Sequence, residues 1–217
     1  LIGFAMAQGR LPCPAAPNAT PGEEAYATPA DRANGICQYP HGVVPYAALG
    51  INGPLTNDNV LADPWNNPVR YSVAVNDADL DGTAFDFTRN NGFTLTDLPT
   101  LSANLVICDA ASTSATTCLP AAVNTLYAQA PAVIYSMGKN WNPVTSADEL
   151  ENAETTFSAI GVPTNPGSVD YAISANNNVV FARSDYRVDT GNDYDDIVDW
   201  ISQNILISRM IEADQIG

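Results

Sequence analysis

Cations are scarce in this sequence: one lysine (Lys139), one histidine (His41) and seven arginines stand against 24 acidic residues, for a net charge of −16. A field of that sign repels phosphate backbones and anionic headgroups, which argues against nucleic acid as a direct partner. A single histidine and the lack of a CxxC pair argue against a Cys/His zinc site, and no serine or cysteine nucleophile has a ready base. Ser136 is followed by Met-Gly and lacks the preceding glycine of a nucleophile elbow, so no catalytic residues are assigned and the chain is read as non-enzymatic. No apolar run approaches the roughly 20 residues that cross a bilayer. Internal repeats, low-complexity tracts and composition breaks are also missing, so residues 1–217 are expected to form one domain.

What is present points to a folded, turn-rich, extracytoplasmic protein. Hydrophobic residues make up 46% of the chain, and its 14 glycines and 16 prolines sit among Asn, Asp, Ser and Thr. Four cysteines, Cys13, Cys37, Cys108 and Cys118, include no CxxC pair. Disulfides in an oxidising compartment suit this pattern, and of the three possible pairings the local one joins Cys13 to Cys37 and Cys108 to Cys118.

Along the chain, the apolar residues of 1–9 stop at Gly9 before Pro12 and Pro14, as at a helix end. The start at Leu1 without Met reads as the last turns of a longer helix. Residues 10–48 form a Pro- and Gly-rich loop region stapled by Cys13 and Cys37. The sheet region spans 60–190, with a half-buried strand expected at 69–75 and further strands at 105–108, 132–136, 171–174 and 179–183. The last two would form a hairpin through Asn176, Asn177 and Asn178. A C-terminal helix is expected over 193–213, with acidic residues complementing the dipole in its first turn. The fold class is α+β.

Several phrases in order resemble the prepilin family, which includes type IV pilins and the pseudopilins of type II secretion. They are the helix exit Gly9-Arg10-Leu11-Pro12-Cys13-Pro14, then Val44-Pro45-Tyr46-Ala47-Ala48-Leu49-Gly50, and Asp63-Pro64-Trp65-Asn66-Asn67-Pro68-Val69-Arg70-Tyr71, where the family has Gly at the position of Asn66. Val133-Ile134-Tyr135-Ser136-Met137-Gly138-Lys139-Asn140 and Asp195-Asp196-Ile197-Val198-Asp199-Trp200 complete the set. The resemblance implies a pilin-like fold, with an N-terminal helix packed on an antiparallel sheet. It also implies a membrane anchor upstream of Leu1, held in the inner membrane before assembly, and contacts with other pilin-like subunits through Leu1, Ile2, Phe4 and Met6. The expected job is a structural or assembly subunit of a pilus or secretion filament, at the periplasm or cell surface. A secreted calcium-dependent adhesin or carbohydrate-binding module is the alternative.

Two acidic clusters are candidate cation sites. Asp77-Ala78-Asp79-Leu80-Asp81-Gly82 spaces carboxylates so that a turn can converge them on calcium, with Asp86 as a fourth; Thr88 stands where a bidentate Glu is expected, so a plain Asp/Asn-rich turn is the competing reading. The second cluster is Asp185, Asp189, Asn192, Asp193, Asp195 and Asp196. The resemblance places Ser136, Lys139 and Asn140 near it and implies calcium, whereas capping and dipole effects alone also account for it. Trp65, Trp141 and Trp200 raise the question of a sugar surface; core packing is expected for Trp65 and Trp200. Arg10 is read as a helix-end cation or loop anchor.

Overall fold

Gly9, in the left-handed conformation (φ 69°), returns its amide to the Ala5 carbonyl and closes helix α1 over Ile2–Gln8. The computed structural model describes residues 1–16, 20–26, 28–78, 84–139, 146–156, 179–188 and 193–216, with 153–156 as backbone only. The expected strand at 171–174 and its Asn176–Asn178 hairpin lie outside these residues. Beyond α1, the stapled region is more regular than its composition suggests. Thr28 caps the short helix α2 (Pro29–Asn34), which has Pro at its first position and ends at Gly35. Strand β1 (His41–Val43) follows, so His41 is buried in a sheet and not in a flexible segment.

Four strands form the first sheet, in the order β1, β2 (Arg70–Val73), β5 (Ala132–Ser136) and β7 (Ile197–Ile201), every pair antiparallel. A second sheet orders β4 (Thr125–Ala130), β3 (Leu105–Cys108) and β6 (Val180–Ala182). Here β3 pairs antiparallel with β4 and parallel with β6, so the expectation of one antiparallel sheet is corrected to two sheets with one parallel pair. Pro131, which has no N–H for a ladder, stands where the chain leaves β4 for β5.

All four residues of β2 are buried, against the expected half-burial. Tyr71 and Val73 join the main core on one face. On the other, the face of Arg70, Ser72 and Tyr135 is covered as well: Phe181 of β6 meets the Tyr135 ring edge-on at 5.3 Å and lies 6.5 Å from His41. Helix α3 (Ala147–Thr156) packs against β6 and β1. The expected C-terminal helix is corrected at its start, because residues 197–201 are β7 and the helix α4 is Gln203–Glu212. Ile197 and Val198 are β-branched, and pairing from Ile197 with Ser136 to Ile201 with Ala132 completes the sheet. Leu206 and Met210 turn the buried face of α4 to the core, and α4 packs against α1.

The disulfides join Cys13 to Cys37 and Cys108 to Cys118, at sequence separations of 24 and 10. No helix among the described residues is long and apolar enough to cross a membrane. Replacing Cys13 and Cys37 together by alanine is expected to lower unfolding free energy by about 3 kcal/mol, from the loop entropy regained by the unfolded chain. The same change at Cys108 and Cys118 should cost less, because its loop is shorter. Urea unfolding of the two double variants reads the difference; a larger loss for the shorter loop would contradict it.

Candidate metal centre

Three segments far apart in sequence meet at one end of the first sheet. Asp63 closes its own turn: Oδ1 accepts from the amides of Trp65 (2.9 Å) and Asn67 (2.8 Å), with Asn66 at φ 66°. That left-handed conformation suits Gly or Asn. Ser136, at the end of β5, donates from Oγ to Asp63 Oδ2 at 2.5 Å, and the Gly138 carbonyl accepts from Asn67 Nδ2 at 2.5 Å. The turn after β5 then meets the segment before β7, where the Lys139 amide donates to Asp195 Oδ2 at 2.9 Å. Gly138 has φ +61°, and a Cβ there would run into the Asp195 carboxylate and backbone.

Helix α3 supplies the remaining wall. Its start carries a capping signature, Ser146-Ala-Asp-Glu149, and the Glu149 amide donates to Ser146 Oγ at 3.2 Å. Asn152 holds the edge of β6: it donates to the Ala182 carbonyl and accepts from the Ala182 amide, each at 2.9 Å. The same Asn152 amide group donates to Asp196 Oδ2 at 2.7 Å, and Tyr194 donates to the Ala182 carbonyl at 2.7 Å. Asp148 and Glu151 accept from the amides of Ala111 and Ser112, which ties α3 to the loop closed by the second disulfide.

Carboxylate oxygens of Glu149, Asp195 and Asp196 all lie within 4.8 Å of one another. Glu149 and Asp196 are buried and Asp195 half-buried. Among the described residues, the buried Oδ1 atoms of Asp193, Asp195 and Asp196 accept no hydrogen bond. Calcium takes about six to eight oxygen ligands at roughly 2.3–2.6 Å, so two ligands of one ion stand at most about 5 Å apart. Three hard carboxylates within that limit, with buried oxygens unsatisfied, fit calcium by distance and by donor type.

Electrostatics favours a cation or a proton at the same place. Burial pushes the Asp196 carboxyl up to about 8; the Asn152 hydrogen bond opposes this, Glu149 and Asp195 add to it, and Arg70 offsets part. Burial also raises Asp195, against the Lys139 amide, with Asp193 and Asp63 adding like charge. Three carboxylates beside one buried arginine leave an excess of negative charge that a divalent ion would neutralise.

The structure distributes the residues singled out from sequence unevenly. Asp195 and Asp196 stand in the cluster with Ser136 and Lys139 beside it, and Asp193 lies next to them, whereas Asp185 is exposed; Asp189, Asn192 and Asn140 lie outside the described residues. Asp196 is not in the first turn of a helix, so the dipole account of these acids is corrected. In the first cluster Asp79 and Asp81 are outside the described residues and Asp77 is half-buried. Asp86 is buried, accepts from the Ala78 amide and pairs with Arg89 at 3.3 Å, so it closes a turn. Trp65 is 41% exposed, a correction to its expected burial, and Trp200 is half-buried, stacked with Tyr127 at 6.1 Å. Trp141 is not among the described residues. Arg10 is a loop anchor, forked onto Glu24 at 2.6 and 2.9 Å. Leu1, Ile2, Phe4 and Met6 are all half-buried, with Arg10 over the Phe4 ring at 5.4 Å. Glu149 was missed; the Ser146–Glu149 capping signature was the signal that marked its helix.

Set against known protein families, curated proteins and solved structures, the chain matches none. The centre therefore rests on its own geometry.

The folded pKa of Asp196, about 8, lies above the unfolded value. A raised carboxyl pKa stabilises the folded state at low pH, and that contribution is lost as pH rises from about 4 toward 8. In chelator, Asp196→Asn should match the wild type near pH 4 and melt above it at pH 8. Calcium at pH 8 should raise the melting temperature of the wild type and not of Asp196→Asn. Equal melting of the two proteins across this range would contradict both statements. Gly138→Ala is expected to destabilise by at least about 1–2 kcal/mol, from its left-handed backbone, and to weaken the calcium gain by displacing Asp195; thermal melts with calcium and with chelator measure both.

Proposed function

We propose that this chain is the globular head of a pilin-like structural subunit whose sheet end is fastened by calcium. One observation carries the reading. The Ser136–Lys139 turn is hydrogen-bonded on one side to the Asp63–Asn67 turn and on the other to Asp195 of the acidic cluster, although these three phrases carry the family resemblance only by their order in sequence. Phrases that resemble a family by chance have no reason to converge on a common centre.

The helix that would serve assembly has the right residual surface. Leu1, Ile2, Phe4 and Met6 keep part of their apolar area exposed, and Ala5 alone is fully buried. Beside them a groove of about 470 Å³ is lined by Ile134, Trp200, Ile201 and Ile205. In a filament, heterologous contacts between such helices give a dry continuous core while the acidic head faces solvent. Partners on this reading are further pilin-like subunits and, through the anchor the resemblance implies, the inner membrane. Two disulfides suit an oxidising, extracytoplasmic setting. No catalysis is assigned to the head.

In cells expressing the complete gene product, Phe4→Cys is expected to crosslink to another subunit and to appear in the sheared surface fraction. Recovery only as a free, uncrosslinked monomer in the medium would overturn the filament reading.

A further inference from the structure

The loop closed by Cys13 and Cys37 surrounds a cleft of about 600 Å³. Its walls include Thr20, Glu23, Tyr26, Thr28, Arg32 and Gln38, all within or just beyond the staple. Ligand pockets in proteins run to roughly 300–1,000 Å³, so the space admits a small molecule.

The frame beneath this cleft is tied at many points. Glu24 takes the Arg10 fork and also accepts from the Cys13 amide at 2.7 Å. Arg10 Nη2 donates to the Tyr26 hydroxyl at 3.2 Å, which fixes the phenol ring. Backbone bonds join Ala25 to Pro14 and to Gln38, and the Gly22 carbonyl accepts from Ala47. Burial, with the Glu24 charge adding, pushes the Tyr26 hydroxyl up to about 12, so it stays protonated at neutral pH. A disulfide and an ion pair thus hold one aromatic ring beside a set of polar side chains.

Two of those side chains have no partner among the described residues. Among the described residues Glu23 and Arg32 make no side-chain hydrogen bond or ion pair, although both line the same cleft. Glu23 offers two acceptors in a plane, Arg32 a planar fork of donors and Gln38 one of each kind. Adjacent hydroxyls of a sugar both donate and accept, so they match such planar two-point groups. A tyrosine ring supplies an apolar surface for the sugar's C–H face. The unpaired charges of Glu23 and Arg32 are opposite, so neither an anion nor a cation is favoured as a whole, and the −16 charge of the chain further disfavours anions. We propose that this cleft binds a neutral saccharide, a role that does not depend on filament assembly and that moves sugar recognition from the tryptophans to the stapled loop.

Amide-resolved NMR titration of the disulfide-intact protein with glucose, galactose, mannose and N-acetylglucosamine tests this, with sialic acid and glucosamine as charged comparisons. At least one neutral sugar should give saturable shifts concentrated on amides between 20 and 38. Glu23→Gln and Arg32→Met, both at exposed positions, should each weaken that binding by roughly tenfold or more while leaving the remaining spectrum in place. Absence of saturable shifts with every neutral sugar, shifts centred elsewhere, or tighter binding of a charged sugar would overturn the proposal.

Discussion

Burying acids where β7 begins is the constraint on which the rest of this architecture turns. Asp196 is 8% exposed and Glu149 1%, and neither carboxylate can stay charged there without compensation. The fold offers Asn152, the Lys139 amide and the charge of Arg70, which leaves negative charge and buried oxygens over. A proton at low pH or a divalent ion at neutral pH removes that excess. The same cluster spans α3, the turn after β5 and the entry to β7, so whatever neutralises it also fastens a helix to two strands. Gly138 shows how tight the arrangement is, since Asp195 occupies the space a side chain would need.

Away from that junction the chain relies on other fasteners suited to a loop-rich protein. The first disulfide closes the segment that carries α2 and the second closes the loop after β3, and polar side chains then tie those segments to the core. Arg10 and Glu24 organise the first stapled loop, while Asp148 and Glu151 of α3 hold the second. Through α3 the second staple and the acidic junction become one connected region. Built this way, the chain ties its loop segments to the core at several points.

Strands β3 and β5 were legible to the residue, because short β-branched runs bounded by turns have few other readings. Residues 197–201 were not: Ile197, Val198, Ile201 and Ile205 fit a helical stripe as well as a strand, and pairing with β5 decided the matter. Strand β4, Thr125–Ala130, has an exposed pattern with no apolar alternation, so nothing in its sequence announced it. The acidic segment before β7 was visible as a candidate site, yet Glu149 was not, since proximity between a helix and a strand entry leaves no mark in sequence spacing. Trp65 looked like a core residue by type; the Asx turn at Asp63 and the left-handed Asn66 instead turn it outward.

Calorimetric titration of calcium into the metal-free protein near pH 7, repeated in buffers of different ionisation enthalpy, tests the central claim most directly. Burial pushes the Asp196 carboxyl up to about 8, so an ion bound there competes with a proton. The account predicts one calcium per chain and an apparent enthalpy that changes with the buffer, through proton release. Absence of binding, or binding with the same enthalpy in every buffer, would contradict it.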